Sequence, residues 1–233
     1  MKKTLALIVA SLICLSFFAG CQTQPQNEEA DVNVENTENT ENTDPVKPNA
    51  KTIFPLPETL DINNLDNCTV AVSFEEGDVY VDDNGKAVMN ASVYTYELYD
   101  MVDIATLAEN DVIVRGNEEI TVTELERLDT GLVRINGGEE NGGFELISDN
   151  NTVFFEIGMS DLKAYYELGT ITLPILDDFT YSDESNLDAE ATEYYPGDFL
   201  TEDAGIVYNF TPHNTSIVIE NGYIVAMKKT YTP

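Results

Sequence analysis

Apolar and polar residues alternate along most of the chain beyond residue 67, and the alternation has the period of strands. "CTVAVSF" (68–74), "VYV" (79–81) and "AVMNASVYTYEL" (87–98) are short runs rich in β-branched and aromatic residues, the pattern of half-buried strands. Between the second and third, Asp82-Asp83-Asn84-Gly85-Lys86 carries an Asn-Gly pair, which tolerates the positive φ of a tight hairpin. "DVIVRGNEEITVTELERL" (111–128) reads as a second hairpin turning at Gly116-Asn117. "GLVRI" (131–135), "GFELI" (143–147) and "TVFFEI" (152–157) follow closely, and the terminal "SIVIENGYIVAMKKTYTP" turns at Asn221-Gly222.

Helical signals are sparse. Ser160-Asp161 is placed to cap "LKAYYEL", with Gly169 as its stop. "DIATLAEN" (103–110) and "GDFLTEDAG" (197–205) each suit a turn or two, and Asn110 is suited to a left-handed backbone just before the strand that begins at Asp111. The segment from Asp103 to Val114 resembles the loop-to-strand entry of several small β-barrels. The prediction is therefore mostly β: a small barrel or sandwich of antiparallel strands with one to three short helices. The acidic stretch "DDFTYSDESNLDAEATEYYPGD" (177–198) lacks this periodicity and reads as a surface loop, with a sub-boundary near 170–198.

"RINGGEENGGFELIS" (134–148) holds two Gly-Gly pairs. A phosphate cradle would need a following helix and nearby cations, whereas "FELIS" is strand-like and the loop carries Glu139 and Glu140. Asn136-Gly137 and Asn141-Gly142 are turn dipeptides flanking a short excursion, so the stretch predicts a bulged hairpin. If it holds a ligand, Glu139 and Glu140 select a cation.

The beginning of the chain follows different rules. Lys2 and Lys3 precede an apolar run from Leu5 to Phe18, the length of a secretory core and short of the roughly 20 residues that span a bilayer. The run ends in Phe18-Ala19-Gly20-Cys21, which resembles the lipobox of bacterial lipoproteins, with Phe18 in place of the usual aliphatic residue. That resemblance implies cleavage after residue 20, acylation of Cys21, and anchoring to the outside of the cell membrane. Residues 21–52 include three tandem Glu-Asn-Thr units and almost no large apolar side chains, a composition that predicts a disordered acidic tether. Residues 53–233 are then one β-rich globular domain. Within it, "ELGTITLPILDDF" and "FTPHNTSIVIENGYIVAMKKTYTP" resemble segments of uncharacterised surface lipoproteins from Gram-positive bacteria.

Charge and rare residues narrow the chemistry. With 43 Asp and Glu against 11 Lys and Arg, the net charge is −32, which disfavours nucleic acid because phosphate contacts depend on cations. With Cys14 in the leader and Cys21 expected to be acylated, only Cys68 is left beside the single histidine, His213, so zinc sites built on His pairs or on His and Cys sets cannot be assembled. No Gly-x-Ser-x-Gly elbow, Walker loop or dinucleotide fingerprint occurs, and Cys68 opens a strand, where a thiol is ordinarily a small apolar group. No cofactor is indicated. A structural calcium at Asp177, Asp178 or Asp183 is the inorganic ligand left open. Tyr94 and Tyr96 share one strand face and form a candidate platform for a peptide, a glycan or an envelope protein. The expectation is a lipid-anchored binding or structural module, not an enzyme. The alternative is a carboxylate-based hydrolase of glycans or peptides.

Overall fold

A computed structural model describes residues 50–150, 152–201 and 204–232. The leader, Cys21 and nearly all of the tether lie outside the described residues. In chain order the strands are β1 (Thr52–Ile53), β2 (Cys68–Ser73), β3 (Val79–Val81), β4 (Ala87–Thr95) and β5 (Leu98–Asp100), followed by helix α1 (Met101–Ala105). Next come β6 (Val112–Arg115), β7 (Glu118–Thr121), β8 (Leu125–Arg127), β9 (Val133–Ile135), β10 (Phe144–Asp149) and β11 (Val153–Ile157). The chain closes with β12 (Tyr166–Glu184), β13 (Thr192–Tyr194), β14 (Thr215–Glu220) and β15 (Tyr223–Thr230). The fold is mostly β, as the alternation predicts. Among the described residues one short α-helix forms, with 3₁₀ turns at 139–141, 159–161 and 196–200.

The long strand β12 organises the molecule. Its first half pairs antiparallel with β4, from Tyr166↔Thr95 to Pro174↔Val88. Its second half leaves β4 and runs parallel to β15, from Thr180↔Ala226 to Glu184↔Thr230, with a bulge between Ile175 and Thr180. Since β4 pairs with β2, β2 with β14 and β14 with β15, five strands close on themselves. Closure removes the free edges, and bulges are where barrels turn corners. Pro174, which has no N–H to donate, ends the β4 ladder. The interior is filled by Val70, Val72, Met89, Val93, Phe179 and Ile217 among others.

Residues 98–165 form an insertion between two barrel strands, β4 and β12. Two further sheets, β5-β11-β10-β9-β8 and β1-β6-β7, enclose a second core that includes Ile53, Tyr99, Ile104, Ile113, Ile135 and Leu146. Asp100 caps α1 by accepting from Val102 N at 2.7 Å. Arg127 closes the other end, donating to the carbonyls of Ile104 and Leu107 at 2.9 Å each. Asn110 is left-handed, at φ 75°, and Asp111 behind it is buried, accepting from Lys51 N and Ala108 N.

The hairpins at Gly116-Asn117 and Asn221-Gly222 form at the expected positions. Gly116 and Asn117 have φ of 55° and 69°, and Asn221 and Gly222 have 52° and 75°, the paired positive values of a type I′ turn. The Gly-Gly stretch links antiparallel β9 and β10 through a 3₁₀ turn at Glu139–Asn141. Asn136 stabilises the loop's entry: its Oδ1 accepts from Thr123 N and Glu124 N, and its Nδ2 donates to Thr121 O.

Two expectations need correction. The helix capped by Ser160-Asp161 does not form: both residues have left-handed φ of 62° and 58°, and strand begins at Tyr166. The β-branched run beyond it pairs along β4, and this ladder outweighs the local helical signal of "LKAYYEL". The stretch 177–198 is not a structureless insertion. Its first part completes β12, with Phe179 and Tyr181 fully buried, and its end forms β13 and a 3₁₀ turn. The two cores meet where the insertion leaves and re-enters the barrel.

Candidate functional site

A groove of about 1240 Å³ lies at that junction. Its floor is the outer face of the barrel. Inward-pointing Val70, Val72, Val93 and Ile217 leave the alternate residues outside, so that Ser216, Ala71 and Tyr94 form one row across β14, β2 and β4. Tyr94 Oη and Ser73 Oγ are hydrogen-bonded at 3.0 Å.

The walls come from the chain segments that join the two cores. Tyr96 follows β4 and Tyr165 precedes β12, so both tyrosines stand where the insertion begins and ends. Their rings meet edge to face with centroids 5.5 Å apart, and Tyr165 meets His213 the same way at 5.3 Å. Lys163 donates to Tyr96 Oη at 2.9 Å and lies 4.0 Å from the Tyr96 ring centroid and 4.7 Å from that of Phe155. Also on the lining, Glu58 Oε2 accepts from Tyr166 Oη at 3.0 Å. Burial pushes the Tyr165 phenol upward. Burial, together with the hydrogen bond to Glu58, pushes Tyr166 up to about 12. Both hydroxyls therefore stay protonated at neutral pH, and that of Tyr166 donates to Glu58.

The acids of the groove differ in how far they are committed. Glu156 is held by a bidentate pair with Arg115 at 2.7 and 2.6 Å. Glu97 accepts from Tyr99 Oη at 2.8 Å and Gly116 N at 3.0 Å. Glu58 and Glu118 are exposed on the lining.

The structure brings Tyr94 and Tyr96 into one groove, although Tyr96 stands just past the end of β4. Glu139 and Glu140 are exposed on the 3₁₀ turn of the β9–β10 loop and are not part of the lining. Asp177 and Asp178 are exposed at the bulge where β12 changes partner. Asp183 accepts from Ser185 N at 2.9 Å, Ser185 Oγ at 2.5 Å and Tyr181 Oη at 2.8 Å, with Lys229 Nζ 4.0 Å away. Burial pushes its carboxyl up, but the hydrogen bonds and the Lys229 charge outweigh this and hold it below the ordinary value. A nearby ammonium repels a divalent cation. Among the described residues no three His, Cys, Asp or Glu side chains are grouped to hold a metal. Burial first, and then the Asp66 charge, push the Cys68 thiol up, away from thiolate.

Sequence patterning does not reveal Lys163, Tyr165, Glu58 or Arg115 as groove residues. Only the high density of tyrosines hints at them, because these residues are far apart in the chain and meet through barrel closure. No protein-family model, curated protein or solved structure matches this chain.

Proposed function

We propose that this protein is a lipid-anchored extracytoplasmic capture module. Acylated Cys21 holds it to the bilayer, the acidic tether gives it reach, and the groove between its two cores takes an extended ligand. The carrying observation is the gathering of Tyr94, Tyr96, Tyr165 and Tyr166 with exposed carboxylates along one concavity of about 1240 Å³. Such a volume exceeds the roughly 300–1,000 Å³ of ordinary small-molecule pockets and suits a segment of a polymer. Tyrosine combines a large apolar face with a polar tip, which is why it is favoured where a surface must bind and stay wet. The commitment of Glu97 and Glu156 to Tyr99, Gly116 and Arg115 supports capture over hydrolysis.

Two measurements test this. The full chain in detergent micelles, screened against peptide and glycan arrays, is expected to give a set of hits that Tyr96→Ala with Tyr165→Ala weakens about tenfold or more. Identical hits at unchanged strength would remove the groove from the function. For the anchor, Cys21→Ala is expected to move the protein from the membrane fraction to the soluble fraction or medium. Retention in the membrane would refute acylation there.

A further inference from the structure

We infer that the groove selects a basic partner, a polypeptide segment that presents lysine or arginine side chains. This rests on the capture reading and specifies its ligand. The first observation is Lys163 itself. Its ammonium lies over the Tyr96 ring at 4.0 Å and the Phe155 ring at 4.7 Å and donates to Tyr96 Oη, and among the described residues no carboxylate lies within 4 Å of it. The groove thus already holds one ammonium group by ring faces and a phenol oxygen, the chemistry that binds cations out of water.

Electrostatics supply the second observation. Four glutamates line the groove, and of its two cations Arg115 is fully engaged by Glu156. Glu58 and Glu118 are exposed on the lining, Glu58 accepting from Tyr166 Oη and Leu60 N. Behind them is a chain of net charge −32, whose field draws cationic ligands inward and repels anionic ones.

The third observation concerns how a peptide would be read. Each floor strand is paired on both sides: β14 with β15 and β2, β2 with β14 and β4, β4 with β2 and β12. No strand edge is offered on the floor for main-chain addition, so recognition falls to side chains. Alternating cationic side chains would meet tyrosine faces and the Glu58 and Glu118 carboxylates. Lys163 is then a like charge inside the site and occupies one of its aromatic seats.

That gives a test whose sign differs between readings. The full chain in detergent micelles is titrated against a labelled Lys-Gly repeat peptide, its Glu-Gly counterpart and a neutral β-linked glucose oligomer. The Lys-Gly peptide is expected to bind, and Lys163→Gln to tighten it about threefold or more, by removing a like charge and vacating the Tyr96 face. Glu58→Gln with Glu118→Gln is expected to weaken it about tenfold. Glu139→Gln with Glu140→Gln, which removes the same charge away from the groove, should change it less than about twofold.

Equal weakening by the Glu139 and Glu140 pair would reduce the interaction to diffuse charge and overturn the proposal. Weakening by Lys163→Gln, or preference for the Glu-Gly peptide, would make Lys163 an anchor for an anion and overturn it too. Tight binding of the neutral oligomer that depends on Tyr96 and Tyr165, with no binding of Lys-Gly, would overturn the basic partner and leave capture intact. If none of the three probes depends on those tyrosines, both readings fall.

Discussion

Replacing Gly143 with alanine is expected to lower the melting temperature of the insertion core more than the same change at any other described glycine. A Cβ at this position would lie 1.9 Å from the carbonyl oxygen of Ile135 and 2.6 Å from that of Asn136. Both are backbone atoms, so neither can swing aside as a side chain could. The hairpin cannot open locally either, because Phe144 pairs with Ile135 and both side chains are buried in the second core. Relief requires moving β9 or β10 off that core, at a cost on the order of 3–5 kcal/mol. For a chain of this size that corresponds to a fall of roughly 10–15 °C in melting temperature. The paired control is Gly142→Ala, where φ is 82° but nothing lies within 4 Å. It bears only the left-handed penalty of about 1–2 kcal/mol. Urea melts of the two variants separate close approach from backbone conformation. Equal losses would mean that the Ile135 carbonyl is not where the fold places it.

Phe179→Ala is expected to destabilise the barrel by about 3–5 kcal/mol, the usual range for emptying a buried aromatic site. Phe179 is fully buried and meets Phe199 at 6.2 Å, edge to face. It stands directly after Asp177-Asp178, where β12 leaves β4 and joins β15. Removing the ring unpins the bend that closes the barrel, in a domain whose total stability is expected to be only about 5–15 kcal/mol. Asp177→Ala and Asp178→Ala, at exposed positions in the same bulge, should change stability by less than about 0.5 kcal/mol. Denaturant titration of the three variants checks this. A loss below about 1 kcal/mol for Phe179→Ala would return residues 177–184 to the status of a surface loop.

These two variants mark where legibility in the sequence ends. The hairpins at Gly116-Asn117 and Asn221-Gly222 could be read directly, since positive φ at two adjacent residues is a local demand that Asn and Gly meet. The Gly-Gly stretch could be read as a bend for the same reason. Its four glycines looked equivalent, however, and only the folded hairpin shows Gly143 to be the one pressed against a neighbouring backbone. "DDFTYSDES" shows the opposite failure. Its acids suggest solvent, and solvent is where Asp177 and Asp178 lie, but Phe179 and Tyr181 alternate with polar residues and face the barrel interior. A bulge had shifted the period, so the alternation was hidden by one corner.

The candidate site follows the same division. Tyr94 and Tyr96 were read as a pair on one strand face; both line the groove, although Tyr96 lies beyond the end of β4. Lys163, Tyr165, Glu58 and Arg115 were not legible, since nothing local relates the junctions of an insertion to a hairpin tip and an N-terminal connector.

By itself, the sequence determined what depends on neighbours a few residues away: strand period, the Asn-Gly turns and the left-handed Asn110. The tertiary structure alone decided which strands close the barrel, that residues 98–165 build a second core, and that tyrosines, glutamates and Lys163 share one groove. Those outcomes depend on contacts between residues tens of positions apart. Such contacts form only when closure of the chain buries enough apolar surface to offset the lost entropy, and no short window of residues records that balance.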